Sequence, residues 1–171
     1  MKTFLPYSDF VKSADILDRA RLGKQRIETY QILRTLRGVS AGWANHPAVK
    51  MWRGSENALV NYGLVICDEW IRRGYKDTTR PKIEALFDPK EMATMPTWLG
   101  DEAVHSAFRS NLLRKDPIWY GKYGWTEGPG LAYVWPGIKM TPVPPAGEAA
   151  EIRPSSAHHP IHASPAAAHL R

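Results

Sequence analysis

Arg19-Ala-Arg-Leu-Gly-Lys-Gln-Arg-Ile-Glu-Thr-Tyr-Gln-Ile-Leu-Arg-Thr-Leu-Arg-Gly38 reads as one long helix. At about 100° per residue, Leu22, Ile32, Leu33 and Leu36 fall on one stripe that must face a core. Gly38 follows as a stop, and Arg34 and Arg37 suit the negative end of the helix dipole. Arg21, Gln25 and Glu28 line one edge of the apolar stripe, with Lys24 and Thr35 further round. Two readings fit Glu28. It pairs with Lys24 one turn earlier, or it sits at the rim of a cleft where its charge is costly and useful. Gly23 costs up to ~1 kcal/mol relative to Ala so near a helix start. Its bare backbone allows close approach of a neighbouring helix or of a phosphate.

Outward from this element the chain predicts more helices. Ser8 can cap a short one through Leu17, with Phe10, Ala14 and Leu17 on one face. Another runs from after Ser55 to Gly74, with Leu59, Tyr62, Ile66 and Trp70 on a stripe. A fourth starts after Asp101, carries Val104, Phe108 and Leu112, and stops before Pro117. Segments holding Pro47, Pro81, Pro89 and Pro96 read as ordered loops, and Leu131 to Trp135 as a short strand. No even spacing of strands is present. The fold class is therefore all-α, a single-domain helical bundle over residues 1–141 with loop-rich connections. Residues 142–171 are rich in Pro, Ala, Ser and His and have no hydrophobic period, which predicts a disordered tail.

Composition narrows the function classes. The 171 residues carry a formal net charge of +6. The tail holds two residues of each sign (Glu148, Glu151, Arg153, Arg171), so the excess lies in residues 1–141. A basic folded part favours anionic partners such as nucleic acid. No apolar run approaches the ~20 residues of a membrane span. The start, Met1-Lys-Thr-Phe-Leu-Pro6, lacks the apolar stretch of a signal peptide, which predicts a cytosolic protein. Cys67 is the only cysteine, so a disulfide framework and a cysteine zinc site are excluded. It lies in an apolar run and reads as a buried hydrophobe. A glycine-rich phosphate loop and a Gly-x-Ser-x-Gly elbow are both missing.

Two clusters carry candidate chemistry. Arg19, Arg21, Lys24, Arg26, Arg34 and Arg37 crowd the long helix against only Asp18 and Glu28, which suits phosphate contact as well as a solvated face. Near the end of the ordered part, Arg114-Lys-Asp-Pro-Ile-Trp-Tyr-Gly-Lys-Tyr-Gly-Trp125 interleaves aromatics with cations, in a stretch that looks too glycine-rich for a helix. Its aromatics either stack on unpaired bases or dock the C-terminal segment on the core. His46 precedes Pro47 in a loop, with no second histidine at metal-ligand spacing.

Three stretches together resemble the phage-type pyrimidine-dimer DNA glycosylase/AP lyase family, the dimer-specific endonuclease V. They are Leu22-Gly-Lys-Gln-Arg-Ile-Glu28, Arg73-Gly-Tyr-Lys-Asp-Thr-Thr79 and Pro117-Ile-Trp-Tyr-Gly-Lys-Tyr-Gly124. The Phe-Leu-Pro-Tyr start and the Asn-His-Pro-Ala-Val stretch are similar to a bacterial branch of that family. The resemblance implies a compact all-α fold whose N-terminus threads into the active site. It implies an N-terminal α-amine that attacks C1′ of the damaged nucleotide and forms a Schiff base, assisted by the glutamate at Glu28. An α-amine titrates near ~8, far below the ~10.4 of a lysine side chain, so more of it is free to attack. The family exposes Thr by removing its initiator Met. Residue 2 here is Lys, bulky enough to leave Met1 in place, so the implied nucleophile is Met1. The stretch up to Glu28 is several residues longer than in the phage enzyme. Arg21, Lys24, Gln25, Arg26 and His46 would hold DNA near the lesion, and Trp119, Tyr120, Lys122 and Tyr123 would brace the opened duplex. The implied partner is double-stranded DNA with damaged or modified bases, acted on by a monomer in the bacterial cytosol or nucleoid, with no metal or organic cofactor. The rival reading is a non-catalytic binder of damaged or modified nucleic acid.

Overall fold

A computed structural model describes residues 1–137. The tail predicted for residues 142–171 lies outside the described residues. Among these there are seven helices and no strand. They are α1 (Phe10–Ile16), α2 (Arg19–Leu36), α3 (Pro47–Lys50), α4 (Glu56–Arg72), α5 (Arg80–Glu84), α6 (Glu102–Lys115) and α7 (Pro117–Gly121).

Helices α2 and α4 form the central pair. Leu22, Ile32 and Leu33 of α2 and Leu59, Tyr62 and Ile66 of α4 are fully buried. Asp18 starts α2 by accepting the backbone N–H groups of Ala20 and Arg21, which satisfies two of the donors that a helix start leaves free. Gly38 follows at φ +71°, a left-handed stop. Two glycines set the spacing of the bundle. A Cβ on Gly63 would meet Thr29 Cγ2 at 2.8 Å and Ile83 Cδ1 at 3.0 Å, so α2, α4 and α5 meet there with no room for a side chain. A Cβ on Gly23 would meet the Trp70 ring at 3.0 Å. Of the two readings of Gly23, the close approach is to a neighbouring helix.

The structure corrects four expectations. Asp9, not Ser8, caps α1, its carboxylate accepting from Lys12 N–H at 2.8 Å. Pro47 and Pro81 do not simply mark loops, nor does Pro117 only follow a helix end, since each stands in the first turn of a short helix. There its fixed φ is already helical and its missing N–H costs nothing. The glycine-rich 117–121 stretch is accordingly helical, with Asp116 accepting from Trp119 N–H. Leu131 to Trp135 is not a strand, because it has no ladder partner.

The N-terminal segment is the feature that shapes the site. Residues 3–6 are buried although they belong to no helix. They lie between α2, α4 and α6, where Phe4 meets Phe108 edge to face at 6.1 Å. The Leu5 carbonyl lies 2.7 Å from His105 Nδ1, and the Pro6 carbonyl accepts from Arg109 at 2.9 Å.

Replacing Gly63 with Val forces these helices apart. Denaturant unfolding should show a loss of about 1–3 kcal/mol with an unchanged slope. Wild-type stability in this variant would mean that the three helices can separate freely.

Candidate active-site cleft

The buried N-terminal segment brings its own amines to α2. Gln25 is the fastener: its Oε1 accepts from Phe4 N–H at 2.8 Å, and its Nε2 donates to the Lys2 carbonyl at 3.0 Å. Tyr62 braces the same point, with its hydroxyl 2.8 Å from Gln25 Oε1 and 3.0 Å from the Phe4 carbonyl. Trp52 Nε1 donates to Thr3 Oγ1 at 2.9 Å.

Glu28 lies one turn further along α2, and its two oxygens do different work. Oε2 accepts from Lys2 N–H at 3.2 Å and from Gln25 Nε2 at 3.1 Å, which fixes the carboxylate. Oε1 lies 3.7 Å from the Met1 α-amine and 3.6 Å from Lys24 Nζ. Lys24 is exposed and Glu28 is not, so the i,i+4 pairing and the cleft position expected as alternatives are both present. Met1, Lys2, Phe4, Ala20, Arg21, Lys24, Glu28 and Lys115 line a cleft of about 410 Å³.

The field in this cleft is positive. Burial and the neighbouring Lys115 and Arg114 lower the Lys2 side chain to about 8, against the opposing pull of Glu28. Burial, Arg114, Arg21 and Lys24 also press Lys115 below the usual lysine range. Arg21 is shared between Asp18 at 3.3 Å and Asp116 at 3.9 Å.

His46 borders this region as the cap of α3. Its Nδ1 accepts from Ala48 N–H at 3.1 Å, which leaves the proton of a neutral ring on Nε2. Burial holds its pKa below the ordinary histidine range, the N-terminal ammonium adds to this, and Glu28 opposes it. Trp43 and Trp135 stand edge-on to its ring, at 5.6 and 6.4 Å.

Other residues expected to contact DNA lie elsewhere. Arg26 pairs with the buried Asp77 and lies 4.1 Å over the Trp70 ring, away from the cleft. Tyr120 is fully buried, its hydroxyl donating to Asp18, so it presents no face to a base. Trp119, Lys122 and Tyr123 do reach the surface. Lys122 Nζ sits 3.6 Å over Trp119, whose indole N–H donates to the Ile16 carbonyl. Trp119 borders an open groove with Arg19, Arg21, Gly23 and Lys24, which shares Arg21 and Lys24 with the cleft. Sequence reasoning missed Lys2, Arg114, Lys115 and Tyr133 as parts of the site. Only the Arg114-Lys115 pair gave a signal, as part of the second basic cluster. Among the described residues no group of three or more His, Cys, Asp or Glu is placed to hold a metal ion.

Chemically, the cleft offers an amine and an oriented carboxylate within 4 Å, open to solvent and ringed by cations. That set can bind an anionic substrate, attack a carbonyl-like carbon and move a proton.

Gln25→Ala removes its two hydrogen bonds to the segment. The amide protons of Lys2 and Phe4 should exchange at least ~10-fold faster, with a stability loss of about 1–3 kcal/mol. Unchanged protection would show that Gln25 does not hold the segment.

No curated protein and no solved structure matches the chain. The family model described as pyrimidine dimer DNA glycosylase matches residues 1–82, a stretch that contains Met1, Lys2, Gln25, Glu28 and His46 and ends before α6, so the resemblance read from the sequence is supported across the part of the chain that supplies the amine and the carboxylate.

Proposed function

We propose that this protein is a DNA glycosylase with AP-lyase activity on damaged or modified pyrimidines in duplex DNA. The observation that carries the proposal is the Met1 α-amine 3.7 Å from Glu28 Oε1, both within the matched residues, in a cleft bordered by cations. The amine attacks C1′ of the target nucleotide, the base departs, and the sugar is held as a Schiff base. Glu28 stabilises the positive charge that develops on the sugar and shuttles protons in the elimination that cuts the strand. Arg21, Lys24 and Lys115 hold phosphates at the cleft mouth. Gln25 acts through the backbone of Lys2 and Phe4, holding the amine in place. Trp119, Lys122 and Tyr123 continue the contact along the groove. On this reading the protein works as a monomer on cytosolic DNA and needs no cofactor.

One observation favours the rival reading of a non-catalytic binder. The α-amine that would attack belongs to Met1, kept in place by the bulky Lys2, where the family resembled exposes Thr. Borohydride trapping on abasic duplex DNA separates the two, because a binder gives no covalent adduct.

Glu28→Gln keeps shape and removes charge. Folding should survive within about 1 kcal/mol, and DNA affinity should hold or rise as a negative group near phosphate is lost. Strand cleavage should fall by ~10²-fold or more. Lys24→Ala, which removes the i,i+4 partner and leaves the carboxylate, should cost far less activity. Equal cleavage by Glu28→Gln and wild type would remove the acid/base role from Glu28.

A further inference from the structure

Four primary amines line the cleft, the α-amine of Met1 and the side chains of Lys2, Lys24 and Lys115. The α-nitrogen of Lys2 lies 3.2 Å from Glu28, but it is an amide and cannot attack. The side chain of the same residue ends in an amine that can. Its backbone is clamped on both sides, the N–H by Glu28 and the carbonyl by Gln25 at 3.0 Å. The side chain therefore leaves the N-terminal segment from a clamped backbone and lines the same cleft as Glu28 and Lys115. Its Nζ lies 3.4 Å from the centroid of the Tyr133 ring, a platform that steadies it when the cleft is empty. Among the described residues the buried Tyr133 hydroxyl has no hydrogen-bond partner.

The charged and titratable groups around Lys2 come from every side. Helix α6 brings Arg114 and Lys115, α2 brings Lys24 and Glu28, and the Met1 ammonium and His46 lie beyond. Half-burial among three cations and one carboxylate disfavours another positive charge, and the Lys2 amine is lowered to about 8. About half of it is then neutral at pH 8, where an ordinary lysine is almost wholly protonated. Desolvation beside other cations is one of the ways proteins turn lysine into a Schiff-base nucleophile.

We propose that the Lys2 ε-amine is a second carbonyl-reactive group of this cleft, forming a Schiff base with the C1′ aldehyde of an opened abasic sugar. The sugar as substrate rests on the lyase reading above. The neutral Nζ adds its lone pair to C1′, and the carbonyl oxygen takes up a proton. Loss of water leaves a C1′=N iminium. Glu28 removes a C2′ proton, the electrons shift into a C2′=C3′ double bond, and the C3′–O3′ bond breaks to release the 3′ phosphate. Water then hydrolyses the iminium and returns the amine. The water lost in forming the iminium is taken up again in its hydrolysis, and the sequence needs no oxidant or reductant.

The test traps the full chain on abasic duplex DNA with borohydride and maps the sugar remnant by tandem mass spectrometry of the N-terminal peptide. The expected result is a remnant on Lys2 Nζ. Lys2→Arg keeps the charge, the bulk at residue 2 and the contact with Tyr133, but its guanidinium does not give up its proton. It should lose that remnant, and its cleavage of abasic DNA should rise at least about threefold less than wild type between pH 7 and 9. Affinity for a duplex carrying a tetrahydrofuran abasic analogue should stay within about twofold. A remnant on Met1 alone, or a wild-type pH profile in Lys2→Arg, overturns the proposal. Pyridoxal 5′-phosphate with borohydride, used without DNA, probes the amine directly. It should label Lys2 ahead of the other lysines, and failure to do so also overturns the proposal. Labelling of Lys2 with no DNA adduct at any residue overturns the sugar as its substrate and the lyase reading together.

Discussion

The backbone of residues 1–6 carries polar groups that no helix satisfies, and most of them are buried. Such groups must find partners or cost about 1–3 kcal/mol each. Partners arrive as side chains from three helices. Gln25 and Glu28 come from α2, Tyr62 from α4, and His105 and Arg109 from α6. This accounts for polar residues at positions that apolar periodicity would fill with leucine. Gln25, His105 and Arg109 are buried because an extended segment, not another helix, lies against them. The cleft follows from the same constraint. A segment fastened at Lys2 and Phe4 cannot withdraw its first residue from Glu28 without breaking buried hydrogen bonds.

The net charge of the chain is spent unevenly. Arg26 pairs with Asp77, and Arg37 with Glu91, Asn57 and the Leu86 carbonyl. Arg73 holds Glu69 and three carbonyls at the end of α1. Arg109 lies between Glu102 and Glu127. These cations stitch the bundle together and have little charge left for a ligand. Lys24, Arg114 and Lys115, outside that network, border the cleft. A phosphate-binding surface built from these few cations is small and sits beside Glu28.

Much of the fold was legible because it is locally encoded. The stripes of α2, α4 and α6 and the glycines after α2 and α4 are short-range signals, and those helices lie within two residues of expectation. The single-turn helices were missed because a stretch of four or five residues has no period to detect. The site was legible only in part. Glu28 stood out by its place on the wheel of α2. Tyr120 could not be told from an exposed stacking residue, because its partner Asp18 lies 102 residues away. Arg26 and Asp77 are 51 residues apart. Lys2, Lys115 and Tyr133 meet only because the chain closes on itself, and no local pattern announces that.

Asp18 gives this closure a temporal side. Its carboxylate caps α2 and also accepts from the Tyr120 hydroxyl, while its own N–H donates back to that hydroxyl at 3.1 Å. During synthesis α2 is complete long before residue 120 leaves the ribosome, so the start of the helix waits with a buried-to-be carboxylate one partner short. Tyr133, which faces the Lys2 side chain, is later still. A nascent chain holding only the first 82 residues has the amine, Gln25 and Glu28 but an open side where the cleft should be. The two ends of the folded part mature together, and the cationic cleft is withheld from anionic ligands until translation has passed α7.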